Sequence, residues 1–390
     1  MKVEQIYNII NTITTEALGD SIIVNEDLSN IVDLGQQFED AVGFEVVTKS
    51  LVDMVGRMVF VARVYGGRGA VGVLRDGWEF GSILAKVSTV LPEAQENEAW
   101  NLQDGASYDP FIFKKPEALE KFFNERVTFE IQLSITTDQI KSAFHSLNEM
   151  NSFLSMLYTA ISNSMTVKTD ELIMRTINNM IGETLYDEFP GGTYTGTSGV
   201  KAVNLLYLYN VATYGSSTGS YIDFATFMHT PAAIRYAVKV FADYMDRLKV
   251  MSTLFNVGGQ QRFTPNDRLH VIMLSSFKNA ANIYLQSDVY HNDLTKLPEA
   301  ESVVYWQGSG VDYTDANTSA VKITTSGGHS IDASGILGVM FDHDALGVAN
   351  VDRKVTSAYN PKGDFTNNFY KYISGYWNDL NENFVVFYAA

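Results

Sequence analysis

The chain has 390 residues, of which 46% are hydrophobic, so it can build a real core and is not a disordered chain. Its 45 acidic against 28 basic side chains leave a formal net charge of −17, with the bases scattered singly, which argues against sequence-specific nucleic-acid binding; an acidic wall can still enclose a nucleic acid without adsorbing it. With no cysteine there is no disulfide framework, thiolate zinc site or cysteine nucleophile, which suits an intracellular protein or one stabilised by assembly.

The amino terminus is polar-interrupted and no apolar run approaches about 18 residues, so neither a signal peptide nor a membrane span is expected. Residues 1–44 carry one amphipathic stretch (Ile6, Ile9, Ile10, Ile13, Leu18). NEDLSNIVDLGQQFED follows, with too few apolar positions for a core of its own, and reads as an irregular arm lying on something else. Val47, Leu51, Val55 and Met58 have the spacing of a short helix. FVARVY is strand-like and runs into the glycine-rich GGRGAVG.

From 78 to 135 the texture changes. SILAKVSTVL reads as a strand or short helix, and an acidic polar run, PEAQENEAWNLQDGASYDP, follows it. In FNERVTFEIQLSI, Val127, Phe129, Ile131, Leu133 and Ile135 alternate with polar residues, the pattern of a half-buried strand. Two strand-like arms around a polar tip predict a long β-hairpin. An isolated hairpin is marginal in water, so a neighbouring subunit is expected to supply its other face.

Thr136, Thr137 and Asp138 predict a helix N-cap, with QIKSAFHSL as a short helix. Residues 148–187 hold one glycine, Gly182, and no proline. Met150, Leu154, Leu157, Ile161 and Met165 form one apolar stripe, which resumes, rotated, at Leu172, Ile173, Ile177 and Met180 after the polar TVKTD. Either two helices break near 166–169 or one continuous spine runs through. FPGG and GTYTGTSG then mark a domain boundary.

Residues 200–345 alternate strands and helices, an α/β or α+β module. NLLYLYNVATY reads as a strand, and HTPAAIRYAVKVFADYMDRLKV as a helix with Thr230 as N-cap and Pro231 first. RLHVIMLSSF reads as a buried strand, KNAANIYLQ as a helix, and SVVYWQG and GILGVMFD as further strands. The aromatic-rich end closes on FVVFY, a strand expected to pair back into a sheet.

None of the catalytic patterns has its required context. GRGAVG at 67–72 matches a dinucleotide-binding spacing, but Gly77 and Gly81 break the helix that should follow. GSSTG at 215–219 matches a nucleophile elbow by letter only, in a string of small polar residues. Asp342, His343 and Asp344 end a strand and offer oxygen ligands to a divalent cation; the plainer reading is a turn capped by Asp344. The six histidines lack zinc-ligand pairing, and Glu93, Glu96 and Glu98 sit in a polar tip with nothing to desolvate them. No metal, cofactor or catalytic residue is expected.

The order of elements resembles the major capsid proteins of tailed bacteriophages, the Hong Kong 97-type fold. The segments that carry the resemblance are SFLSMLYTAISNSMTVKTDELIMRTINNMI, FDHDALG and NPKGDFTNNFYKYISGYWNDLNENFVVFY. It implies an α+β chain divided into an N-terminal arm (1–44), the start of a peripheral domain (45–75), an extended β-hairpin loop (76–135), the peripheral domain with its spine helix (136–197), an axial α/β domain (198–345) and a return to the peripheral domain (346–390). It further implies a non-enzymatic subunit that self-assembles as hexamers and pentamers into an icosahedral shell around double-stranded DNA. The shell would form in the host bacterial cytoplasm and persist in the virion.

Within that shell the extended loop lies over a neighbour, with Trp78, Trp100, Phe111, Phe113 and Arg126 as interface candidates. The loops at 256–265 and 308–330 are candidates for the axial tip or outer surface. Many members begin with a helical scaffolding segment that is cleaved off; this sequence shows none, so an uncleaved subunit with a separate scaffolding protein and a portal is expected. Some members join a loop lysine to an asparagine of the next subunit. Lys86, Lys114 and Lys115 lie in the matching loop, but most relatives lack the crosslink and none is expected here. The alternatives are an encapsulin-type or other shell-forming protein and, further off, an acidic metal-dependent hydrolase using Asp342 and Asp344.

Overall fold

The computed structural model describes residues 3–18, 24–41, 47, 49–51, 54–55, 73–75, 84–89, 103–107, 109, 111, 113, 115, 118–286, 300–307 and 315–390. Its longest element is one unbroken helix, Leu147–Glu188, 42 residues and so roughly 63 Å long. Ser146 caps its start by accepting the Glu149 N–H. The polar TVKTD stretch does not break it. Thr166 and Thr169 turn their hydroxyls back onto the carbonyls of Ser162 and Met165, so neither competes for the helix N–H groups. Lys168 pairs with Glu171 one turn on.

The rotation of the apolar stripe has a physical cause: the two halves of this spine helix serve different cores. Met150, Phe153, Leu154, Leu157, Ile161 and Met165 pack into one, and Leu172 to Leu185 into the other. The first core also takes Ile6, Ile9, Ile10 and Ile13 from helix Val3–Leu18, and the buried helical residues Val47, Leu51 and Val55; Met58 lies outside the described residues. The segment expected to be an irregular arm contains a second helix, Ile31–Ala41. Its three buried apolar positions, Ile31, Leu34 and Phe38, are too few for a core but enough for one face, and Phe38 meets Phe144 edge-on at 5.7 Å. The helix does lie on something else, as its composition requires.

Thr136 caps helix Thr137–Ala143 through a capping box with Gln139. The strand before it, β4 (Arg126–Thr136), alternates as predicted, but its partner differs from the one expected. It pairs antiparallel with β12 (Phe365–Asn378), in a four-stranded sheet ordered β1 (Leu74–Arg75), β11 (Leu346–Asn360), β12, β4. The hairpin is made instead by β2 (Leu84–Thr89) and β3 (Ala118–Phe123), antiparallel. Alternation reports that a strand is half buried and says nothing of which strand it joins, here one some 240 positions later, with Ile131 opposite Tyr370.

A five-stranded sheet centres the second core, in the order β5 (Ala202–Asn204), β13 (Phe384–Tyr388), β10 (Ile336–Asp342), β6 (Leu269–Leu274), β7 (Glu301–Val303). FVVFY thus pairs back into a sheet, antiparallel to β10 and parallel to β5. Helix Pro231–Leu248 covers the sheet, its Phe241 stacked 4.1 Å from Phe387. Thr230 occupies the expected N-cap position with Pro231 next, although its hydroxyl donates back to the Thr226 carbonyl rather than capping. NLLYLYNVATY is not a strand: only Asn204 is, and it caps helix Leu205–Tyr214. Leu205, Leu206, Tyr209 and Asn210 bury one helical face, which outweighs the strand preference of the tyrosines and valine. The SSF of RLHVIMLSSF is likewise helical, opening Ser275–Gln286.

Strands β8 (Val321–Thr324) and β9 (Ser330–Ala333) form a hairpin lying on the spine helix. Gly182 makes this approach possible, since a Cβ there would meet Thr325 Cγ2 at 2.6 Å. The turn is pinned on both sides of that glycine: Asn179 accepts the Ser326 N–H, and Glu183 accepts the Gly327 N–H and lies 3.1 Å from His329 Nδ1.

Candidate functional site

The β2–β3 ribbon is a two-stranded sheet of its own that keeps large apolar side chains exposed. Pleating gives it two faces, with Lys86 opposite Lys121 and Val87 opposite Glu120. Lys86, Lys121 and Phe123 turn toward the body. Val87 and Phe122 turn away and stay 64% and 60% exposed.

The inward face is tied down at its root. Phe123 is buried against Ala349, Val351 and Trp377. Lys86 Nζ donates to Asp379 Oδ2 at 2.8 Å and to Glu382 Oε1 at 2.7 Å, and Lys121 Nζ reaches Asp379 Oδ1 at 3.0 Å. Arg262 Nε shares Glu382 Oε1 at 3.1 Å. The Asp379 side chain is only 2% exposed. Burial alone would push its carboxyl up, but Lys86, Lys121 and the Asn381 N–H outweigh it and hold the group below the ordinary carboxylate range. The receiving turn, residues 379–383, is itself held: the Asp379 N–H donates to Ala345, and Leu380 accepts the Gly258 N–H. Gly258 lets the Asn381 side chain lie close against the loop, since a Cβ would come within 1.9 Å of Asn381 Oδ1 and make that side chain shift.

Of the interface candidates, Phe111 and Phe113 stand 89% and 84% exposed between β2 and β3 in the chain. Trp78 and Trp100 lie outside the described residues. Arg126 is exposed at the start of β4, opposite Gly375, so it belongs to the four-stranded sheet rather than to the ribbon. Among the lysines of the crosslinking expectation, Lys86 is engaged by Asp379 and Glu382, Lys115 is exposed and Lys114 is outside the description. Sequence reasoning passed over Val87 and Phe122, although the alternation of LAKVST and ALEKFF carries them. It had no means of finding Asp379 and Glu382, nearly 300 positions from Lys86.

Of the catalytic patterns, GSSTG and the Asp342–Asp344 strand end lie within the described residues. GRGAVG and the Glu93, Glu96, Glu98 group fall outside the described residues. GSSTG follows a helix, with Gly215 at φ 57° and an exposed 3-10 turn at Thr218–Ser220, so it is not a strand-to-helix elbow. Asp342 and Asp344 both pair with Arg268, whose guanidinium pKa they raise against the opposing effect of burial. The cap of that turn is Asp342, not Asp344 as expected: its carboxylate accepts the Asp344 N–H at 3.0 Å, because Asp342 is the buried member. Among the described residues no cluster of three or more His, Asp or Glu is placed to hold a metal ion, and no helix is long and apolar enough to cross a membrane. The loop at 256–265 docks on the 379–383 turn through Gly258 and Arg262, and the described part of 308–330 contains the β8–β9 hairpin on the spine helix.

Solved structures similar to the chain are phage assemblies. The capsid structure of Staphylococcus phage Andhra is 11% identical over 84% of this chain and 85% of that one, with a TM-score of 0.47. A structure of the head fiber and inner core protein gp22 of native bacteriophage P68 is 11% identical over 85% and 86%, TM-score 0.46. The capsid structure of the Cyanophage P-SCSP1u is 10% identical over 84% and 88%, TM-score 0.42. A comparison with curated protein sequences finds no match. A long spine joining two cores and a ribbon whose outer face keeps apolar side chains bare are features of a building block. In agreement with them, the family model described as Phi29-like phage major capsid protein matches residues 10–388, and the chain belongs to that family.

Proposed function

We propose that this phage major capsid protein closes, as hexamers and pentamers, into an icosahedral shell around double-stranded DNA, without catalysis. The observation that carries the reading is the ribbon. Val87 and Phe122 are left bare on a two-stranded element that cannot cover them, and Phe111 and Phe113 stand exposed in the connection between its strands, whereas a lattice neighbour can cover all four. The net charge of −17 supports the same reading, since phosphates packed inside an acidic wall are repelled rather than adsorbed. In this proposal residues 76–135 are the extended loop, whose ribbon and connection lie over the next subunit with Trp78, Trp100, Phe111 and Phe113 at the contact, while Arg126 in β4 stands at the base of the loop in the four-stranded sheet. Residues 1–44 are the arm, 45–75 and 136–197 the peripheral domain, 198–345 the axial domain, and 346–390 the return. A separate scaffolding protein and a portal direct assembly in the host cytoplasm.

The test is expression of the chain with and without its neighbouring genes, followed by sedimentation velocity and negative-stain microscopy. Closed shells, or rings of five and six, are expected. A monomer in both preparations, unchanged by concentration, contradicts the proposal.

A further inference from the structure

Two lysines and a phenylalanine of the ribbon meet two carboxylates, an arginine and an apolar socket of the body. Among the described residues β2 and β3 pair as strands only with each other, so their own ladder does not set the direction in which the ribbon leaves. The root contacts set it. Phe123 in its socket against Ala349, Val351 and Trp377 fixes one point, and Lys86 and Lys121, bound to opposite oxygens of the one Asp379 carboxylate, fix a second. Two points set the line along which the ribbon leaves. Glu382, shared by Lys86 and Arg262, extends the tie to the 256–265 loop.

The receiving turn is held by Ala345 and by Gly258, so the body offers a firm seat rather than a flexible one. Swinging the ribbon away would break both ion pairs to Asp379, the Lys86–Glu382 pair and the Phe123 packing together, which makes a displaced ribbon costly. The exchange is also selective, because only one face carries the lysines: seating Lys86 and Lys121 necessarily turns Val87 and Phe122 outward.

We infer that Lys86, Lys121 and Phe123 on the ribbon, with Asp379 and Glu382 on the turn, are positioning residues for assembly: they aim the ribbon from its own subunit and present the Val87 and Phe122 face to the next copy of this chain. The inference rests on the capsid reading and adds to it which intrasubunit contacts aim the arm.

The test uses the full chain carrying Lys86→Met with Lys121→Met, and separately Asp379→Asn. Hydrogen exchange is measured on unassembled subunits, and shell yield and diameter by microscopy. In the lysine variant, exchange in β2 and β3 is expected to accelerate about tenfold while β10 and β13 keep their protection, and shells become fewer and uneven in diameter. Asp379→Asn should do the same. Because Asp379 also holds its own turn, the lysine variant, which changes the ribbon alone, decides the matter should Asp379→Asn disturb the body. Unchanged ribbon exchange in the lysine variant overturns the clamp, as do wild-type shells from a loosened ribbon. A wild-type chain that forms no shells contradicts the capsid reading instead, and the exchange measurement on single subunits still reads the clamp.

Discussion

The five-stranded sheet and the β2–β3 ribbon face the same demand, to take apolar side chains out of water, and meet it in opposite ways. In the sheet every residue of β10 and β13 is buried, and Phe241, Phe277 and Phe387 stack within one chain. In the ribbon one face is seated at its root and the other keeps Val87 and Phe122 in solvent. The sheet therefore completes its burial within the chain, while in the proposal above a neighbouring subunit completes the ribbon. A substitution should reveal which region it lies in by the measurement that it moves.

The largest loss of stability is expected from Phe387→Ala, which empties the stack under Phe241. It should cost about 3–5 kcal/mol in urea unfolding of the subunit; a cost under about 1 kcal/mol would mean that this sheet is not the centre of the core. Gly182→Ala comes next, at about 1–3 kcal/mol, because the added methyl pushes the β8–β9 turn off the spine helix. Faster hydrogen exchange at 325–329 should accompany it, and its absence would place the cost elsewhere.

A smaller effect is expected from acid. The Asp379 carboxyl is depressed in the folded chain, so its contribution is complete above the ordinary value of 3.8 and is lost as pH falls through the lower folded value. Ribbon exchange corrected for intrinsic rates should stay flat from about pH 7 to about pH 5 and rise below about pH 4, and Asp379→Asn should remove that step. A step that survives in the variant would assign it to another group. The smallest change in subunit stability, within about 0.5 kcal/mol, is expected from Phe122→Ser, since that ring is already in water. The same substitution should sharply lower shell yield, and a normal yield would remove Phe122 from the contact.

How much of this was legible in the sequence follows the range of the forces involved. The spine helix, the Thr136 cap, the alternation of β4 and the Pro231 helix start are local, and local spacing predicts them. The rotation of the stripe in the spine is legible too, but its cause, two separate cores, is not, and the spacing leaves open whether the helix breaks. Helix Ile31–Ala41 was missed because three apolar residues suffice once Phe144 supplies the opposing surface. Local preference points helix Leu205–Tyr214 toward a strand, because its tyrosines and valine favour that state, and only the burial of one face decides for the helix. The return strand of the hairpin was assigned to 123–135 rather than to Ala118–Phe123, because strand partners are a long-range choice. The seat of Lys86 on Asp379 and Glu382 is the extreme case: no local pattern marks a contact spanning 293 and 296 positions.

The central claim, that the chain folds its sheet for itself and its ribbon for a neighbour, is tested most directly by hydrogen exchange on the wild-type protein before and after assembly. Peptides covering 84–89 and 118–123 are expected to gain strong protection in shells, while those covering β10 and β13, already closed in the single subunit, do not change. Equal exchange of the ribbon in free and assembled protein would contradict it.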